Sequence, residues 1–552
     1  MNARRLLGPT MFLAVALAAA CGQPPEATPA PTPEPTAVPT PVPTVAVPTP
    51  TPEPPDDRPL ADVSHLLDFV REGIYKNSDG VGGAAWLDYD DDGFLDLYIT
   101  NTREAKNALF HNNGDGTFTN LAEQAGVTSE TGNTAVVAGD IDNDGCTDLI
   151  LAGDGAFQGN DPSGFRVYVN NCDGAFIDIS ETAGIDKPEV SWSLALGDVN
   201  NDGYLDLYAA GLVATGLSFD DRDRLYLNNG DRTFTDVTDD AGIEGELATC
   251  SSRFSDYNRD GWTDIFIANC FFQGVRTELL RNNGDGTFTD VAFETGLAFS
   301  PSGHPQDYDD DSRMALAIGD YDLDGDLDIF APGRTDKPMF ENNGDGTYTA
   351  IEERVSGLVS GEFGASLAVS LADFDNDRYP DAFYIDVLEN SSPLGTLRVN
   401  RADGSFSEPV VFEVIFPGGA ATGDYDNDGF VDLVVITSKS SSASGEPLLL
   451  HNRGGENAWI TVRTVGIESN RDGVGALVTA HAGEHALIQE VSAGSGLSTN
   501  SPWLTFGLGS HEEPVDIEVR WPSGLVEMFE SQAIKQTVTL TEGTGRGDES
   551  GR

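Results

Sequence analysis

The stretch AGDIDNDGCTDLILAG, residues 138–153, sets Asp140, Asp142, Asp144 and Asp148 within nine positions and then runs into the apolar Leu149, Ile150 and Leu151. Carboxylates this close repel one another and raise one another's pKa, so the cluster is costly unless a cation is held among them. The pattern returns as DYDDDGFLD from residue 88, DVNNDGYLD from 198, DYNRDGWTD from 256, DYDLDGDLD from 320, DFDNDRYPD from 373 and DYDNDGFVD from 424. With DIDNDGCTD from 140 there are seven units, their starts 51 to 64 residues apart. A recurring period of this length decides the architecture before any single element does.

Each of the first six units carries a second mark, NNGDGTFTN at 112 and its variants at 170, 228, 282, 342 and 400, where Asn and Gly suit the positive φ of tight hairpins. The runs after the acidic loops, such as LYIT, LILA, IFIA and LVVIT, are apolar and rich in β-branched or aromatic residues, as strands buried on both faces should be. Runs before them, such as AVVAG and LALG, are small enough for strands crowded about an axis. Four antiparallel strands repeated seven times predict an all-β chain built as a seven-bladed β-propeller over residues 59–453, with a solenoid as the other reading. The seventh unit has LLLHN at 448–452 but no strand after it, while LLDFVREGIY at 66–75 resembles the outer strand FTDVTDDAGI at 234–243. The N-terminal segment is therefore expected to complete the last blade.

Within each loop, counted from its first Asp, the side chains at 1, 3, 5 and 9 and the carbonyl at 7 form an oxygen-only donor set of the kind calcium takes at six to eight coordination. Position 1 is Asp88, Asp140, Asp198, Asp256, Asp320, Asp373 and Asp424; position 3 is Asp90, Asp142, Asn200, Asn258, Asp322, Asp375 and Asp426. Position 5 is Asp92, Asp144, Asp202, Asp260, Asp324, Asp377 and Asp428, and position 9 is Asp96, Asp148, Asp206, Asp264, Asp328, Asp381 and Asp432. The carbonyls belong to Phe94, Cys146, Tyr204, Trp262, Asp326, Tyr379 and Phe430. An EF-hand would need Glu at position 12, which is instead Ile99, Leu151, Ala209, Ile267, Ala331, Tyr384 or Val435. Up to seven Ca2+ ions are expected, with the loop from Asp373 to Asp381 weak or empty because Arg378 replaces the glycine and Pro380 precedes Asp381. DYDDDS at 307–312 lacks Asp at position 9 and reads as an exposed loop.

These units resemble the FG-GAP, or VCBS, repeats of integrin-α-type propellers, with Phe363-Gly364 in FGASLAVSLADFDND and a looser IFAPG at 329–333. From residue 454 the pattern changes to short strands, NAWITVRTVG, ALVTAHAG, HALIQEVSAG, PWLTFGLG, DIEVRWPSG and QTVTLTEG, reading as a small β-sandwich to 542 with a polar tail at 543–552. SNRDGVGA at 469–476, QEVSAGSGLSTN at 489–500, FGLG at 506–509 and VRWPSG at 519–524 resemble the ASPIC/UnbV domain. That domain follows such propellers in the cartilage acidic protein family and in many bacterial exported proteins. Arg471, Trp521 and Ser523 are open to binding, packing or turn roles.

Residues 1–20 read as an export signal: Arg4 and Arg5, an apolar run, then Ala18 to Ala20 before Cys21. This resembles a lipoprotein signal in which Cys21 is lipidated, although Leu17 stands four residues before the cysteine where the family usually has Leu three before. Ordinary cleavage after Ala20, releasing a secreted protein, is the alternative. Residues 22–57 are a Pro/Thr tether whose polyproline II form reaches roughly 100 Å at ~3.1 Å per residue. Export permits disulfides, and the spacing about the loops suggests Cys250 with Cys270 and Cys146 with Cys172. There are 91 acidic against 31 basic residues, a net charge of -60, which excludes a basic footprint for nucleic acid. No H-E-x-x-H, G-x-S-x-G or Walker motif is present, and nearly every Asp cluster is assigned to metal. The expected function is a calcium-binding, surface-tethered interaction or adhesion protein, not an enzyme. Its partner is an extracellular protein or glycan, membrane contact is through the lipid alone, and the chain is a monomer. The alternative is an envelope enzyme or accessory subunit with a glycan or ester pocket on the propeller axis.

Overall fold

The computed structural model describes residues 67–70, 82–102, 106–129, 132–153, 164–186, 190–211, 222–245, 248–270, 276–298, 313–333, 339–351, 364–388, 393–402, 405–414, 417–437 and 447–547. Cys21, the signal and tether, and the partial motif at 307–312 lie outside them.

Seven four-stranded antiparallel sheets follow one another along the chain. Blade one runs Ala84–Leu87, Asp96–Ile99, Ala108–Asn112 and Phe118–Asn120, and each later blade repeats that order. The inner strands are Asn133–Gly139, Ser191–Gly197, Thr249–Ser255, Ala317–Gly319, Gly364–Ala372 and Pro417–Gly423 in blades two to seven. Small residues dominate them because neighbouring blades pack through their broad faces. A Cβ on Gly197 would meet the Phe254 ring at 2.7 Å, and one on Gly423 would meet Trp86 at 3.1 Å. Blade seven is completed by Leu67–Val70, which pairs antiparallel with Leu448–Asn452. The ring is thus closed by strands from both ends of the propeller, which removes free sheet edges between first and last blades.

The C-terminal domain is a sandwich of a three-stranded sheet (Leu504–Gly509, Ala458–Val465, Thr537–Thr541) and a five-stranded one (His485–Glu490, Leu477–Ala482, Val515–Arg520, Val526–Gln532, Arg546–Gly547). The strand Val526–Gln532 is absent from the sequence reading, and pairing continues to Arg546–Gly547, inside the segment read as a polar tail. Trp521 is 1% exposed and donates to Glu527 Oε2 at 2.9 Å, so it is a core residue rather than a binding surface.

This domain is not a separate bead. One continuous apolar cluster joins Val137, Ile150 and Leu194 of the ring to Ile460, Val478 and Leu508 of the sandwich. Its segment 493–501 runs along the propeller axis and satisfies edge groups of the inner strands: Thr499 N–H donates to Ala84 O at 2.8 Å, Leu196 N–H to Ala493 O at 2.9 Å and Ser501 N–H to Thr422 O at 2.8 Å. Ser495 Oγ donates to Leu316 O of blade five at 3.1 Å. The approach is close enough to require glycine: a Cβ on Gly83 would lie 1.7 Å from Leu497 O, and one on Gly419 would lie 2.0 Å from Ser498 Oγ.

Candidate functional site

All seven acidic loops join an inner strand to the next strand of its blade and adopt one conformation. In each, the position-1 carboxylate accepts the N–H groups of positions 5 and 6, as Asp198 does from Asp202 at 3.1 Å and Gly203 at 2.9 Å. Position 5 accepts the N–H of position 7, as Asp202 does from Tyr204 at 2.9 Å. The residue at position 4 takes a left-handed φ of 56 to 62° throughout, and position 6 takes 86 to 97°. Only Gly is at ease there, yet Arg378 adopts φ 97° and its loop is intact, with Asp373 accepting from Asp377 at 3.0 Å and Arg378 at 2.7 Å. The loop set apart in the sequence as weakest therefore has the same frame as the others.

These bonds turn carboxylates inward without supplying positive charge. Position 9 is buried outright: Asp96, Asp148, Asp206, Asp264, Asp328, Asp381 and Asp432 are all 0% exposed. Burial first, then neighbouring carboxylates, pushes Asp96 and Asp264 up to about 8 and Asp148 and Asp328 up to about 9. Asp140, Asp320 and Asp424 rise to about 7 for the same reason. The oxygens of Asp88, Asp90 and Asp92, and of Asp140, Asp142 and Asp148, lie within 4.8 Å of one another. Asp264 Oδ2 is shut off from water and makes no hydrogen bond. Carboxylates destabilised by burial, converging on one point and composed of oxygen donors alone, suit calcium.

Some loops already hold a cationic side chain. Arg232 Nε lies 2.6 Å from Asp142, Arg259 pairs with Asp326 at 3.2 Å, and Arg463 of the C-terminal domain reaches Asp91 at 2.9 Å and Asp88 at 3.5 Å. His111 stands 3.2 Å from Asp96, and His451 stands 3.0 Å from Asp426. The sequence reading passed over both histidines because they precede the hairpin motif and sit far from their loops in the chain.

It also misassigned the first Asn of the NNG motif. Positive φ in those hairpins belongs to Gly114 and Gly116 and their equivalents, not to the asparagines. Asn228, 3% exposed, ends the third strand of blade three; its amide nitrogen donates to Leu205 O at 3.1 Å and across the blade boundary to Ile141 O at 2.7 Å. Its own N–H caps Asp206 at 2.8 Å. Asn112 reaches Tyr425 O at 2.7 Å in the same way, tying blade one to blade seven. Position-4 side chains add a second tie, as Asn201 donates to Gly261 O at 2.9 Å and Asn427 to Gly93 O at 2.9 Å. The acidic loops thus form a hydrogen-bonded belt.

The C-terminal domain lies against this belt. Asp140 N–H donates to Asp472 Oδ2 at 2.7 Å, Arg471 N–H to Asn143 at 3.0 Å, and Gly509 N–H to Asn376 O at 2.8 Å. The expected disulfides are both formed: Cys146 with Cys172, fastening the second acidic loop to its hairpin, and Cys250 with Cys270 across the first strand pair of blade four.

The FG-GAP-like repeat model matches residues 88–151, 147–209, 212–267, 256–331 and 320–384, more than half of the chain. The chain belongs to the FG-GAP-like repeat family. The ASPIC and UnbV model matches residues 466–547. Cartilage acidic protein 1 of Mus musculus is 26% identical over 482 residues, covering 80% of this chain and 70% of the relative. The Homo sapiens protein of that name is 26% identical over 477 residues, covering 80% and 69%. Among solved structures, an Agrocybe aegerita lectin recognising non-reducing terminal N-acetylglucosamine aligns at TM-score 0.38 and 18% identity over 70% of this chain and 93% of its own. BBS1N in complex with ARL6DN aligns at 0.43 and 12% over 70% and 97%. The FG-GAP repeats and the homology mark an extracellular, interaction-type protein.

Proposed function

We propose that this FG-GAP chain is a calcium-stabilised interaction or adhesion protein, exported and tethered to the outer face of the membrane through Cys21, that presents its ring to an extracellular protein or glycan. The observation that carries this reading is the belt of seven identical loops whose position-9 carboxylates are fully buried and pushed far above the usual carboxylate range. Bound calcium would supply the charge that keeps those groups ionised. The chain's own residues do the rest: position 1 orients the loop backbone, position 9 ties the loop to the third strand, and the Asn at that strand's end ties it to the previous blade. The axis, where the alternative of a glycan- or ester-processing pocket would sit, is occupied by residues 493–501. That favours a recognition role on the ring's outer surfaces over catalysis at its centre.

The test is calorimetry of the full mature chain with millimolar calcium and with chelator, alongside metal analysis of the dialysed protein. Ligand at ten times Kd stabilises by about 1.4 kcal/mol per site, so several sites raise the transition by many degrees. Identical transitions and no retained calcium would remove the metal from the reading. Pull-down from native envelope with and without calcium then tests the interaction role, which fails if an added glycan or ester is turned over instead.

A further inference from the structure

Between the inner strands of blades four to seven and the C-terminal domain lies a cavity of about 120 Å3. Arg253, Arg378, Glu490, Asn500, Trp503 and Thr505 are on its wall. Arg253 rises from the inner strand Thr249–Ser255 and is 8% exposed. Its Nε is shut off from water with no hydrogen-bond partner, and among the described residues no carboxylate lies within the 4.0 Å of an ion pair. Glu490 acts on it only at longer range; the Ser255 hydroxyl and the Asp256 N–H act on the Glu490 carboxylate, whose Oε2 is sealed from water without a close partner. Arg378, from the acidic loop of blade six, has an unpaired, sealed Nε as well. Asp320, Asp373 and Asp424 also border the space, but their carboxylates are engaged by the amides of their own loops.

A buried guanidinium whose Nε is sealed without an acceptor is expensive for a fold to carry, and an apolar side chain of similar size would serve packing better. Among the described residues, no carboxylate is placed within ion-pair reach of it. The unmet need on one side is for an acceptor, and on the Glu490 side for a donor. A space of about 120 Å3 is of the size that a small organic molecule fills.

We propose that this cavity beside the axial segment binds a small organic anion that also carries a hydrogen-bond donor, a hydroxy acid or an amino acid, with its acid group on Arg253 and its hydroxyl or ammonium on Glu490. Arg253 belongs to the ring and Glu490 to the C-terminal domain, so the ligand is held by both and closes the joint between them. Asp320, Asp373 and Asp424 of the acidic loops border the cavity, so the probes are compared with calcium and with chelator, which separates failure of this site from failure of the calcium reading.

The experiment uses the full mature chain, emptied by extensive dialysis, with glycolate and glycine as probes and sulfate as an anion without carbon-bound donors. At a hundredfold excess over Kd, glycolate or glycine should raise the melting temperature by on the order of 3 °C, with sulfate weaker. Mass spectrometry of the heat-released fraction of undialysed protein should find a small organic anion near one per chain. Arg253→Met should abolish both signals and melt above the emptied wild type, because it removes an uncompensated charge. Glu490→Gln should keep the sulfate response and lose the preference for glycolate and glycine. No released anion together with no response to any probe, meaning ordered water only, overturns the proposal, as does an Arg253→Met protein that responds like the wild type.

Discussion

The two adjacent asparagines of the blade-three hairpin provide an internal comparison for the inter-blade tie. Asn228→Ala removes three side-chain hydrogen bonds: to Leu205 O at 3.1 Å, to Ile141 O of the preceding blade at 2.7 Å, and from Gly230 N–H at 3.0 Å. Each bond is worth about 1 kcal/mol net, and a buried acceptor left unmet costs about 1–3 kcal/mol more, so the expected loss is about 4–6 kcal/mol. The cap from the Asn228 N–H to Asp206 survives, since it is backbone. Asn229 is exposed and bonds only to Thr233 and Thr235 within its own hairpin, at 2.9 and 3.0 Å. Asn229→Ala is expected to lose about 0.5 kcal/mol, as surface changes do. Urea unfolding followed by tryptophan fluorescence, with both variants at one calcium concentration, measures the difference. A loss for Asn228→Ala within 1 kcal/mol of that for Asn229→Ala would refute the assignment of this residue as the tie between blades.

Three further outcomes follow from the same geometry. Since burial holds Asp96 and Asp264 near 8 and Asp148 and Asp328 near 9, against about 3.9 unfolded, the chelated native state binds protons that the unfolded chain has released. That stability is complete below about pH 4 and fades as pH climbs toward 9, so in chelator the chain should melt higher at pH 5 than at pH 8; the opposite slope contradicts the buried-carboxylate account. Gly83→Ala places a Cβ 1.7 Å from Leu497 O and should dislodge the axial segment, seen as new proteolytic cleavage between residues 492 and 501; an unchanged digest counts against the axial fit. Replacing Cys250 and Cys270 together by Ala frees a closure of 20 residues and should cost about 3 kcal/mol in urea, with near-zero loss showing that blade four does not need its bridge.

The blades were legible because each repeat spells its own local structure: an apolar run, an acidic loop with Gly at 6, another apolar run, and a hairpin. Even the closing strand was readable, since Leu67–Val70 falls inside a segment that resembles the outer strands of other blades. What could not be read were contacts whose partners lie elsewhere in the chain. Asn112 looks like hairpin chemistry until Tyr425, 313 residues away in sequence, is seen beside it. Arg253 looks like an outward-facing polar residue in the alternating TCSSRFS until the C-terminal domain covers it.

The missed signal for that covering was in the glycines. Only blades one and seven begin their inner strands with paired glycines, at 82–83 and 418–419, and the segment that meets them, Ser492 to Ser501, is itself rich in Gly and Ser. A Cβ at Gly494, where φ is +87°, would also lie 2.3 Å from Leu194 O, so the close approach is enforced from both sides. Glycine in an inner strand weakens that strand, and the loss is tolerable only where another backbone takes up the space. The C-terminal domain is therefore better understood as the eighth element of the ring than as a module appended to it. Its Arg463 on Asp88 and Asp91, its Asp472 on the Asp140 amide and its axial segment make the charge state of the acidic loops and the seating of the domain a single coupled equilibrium.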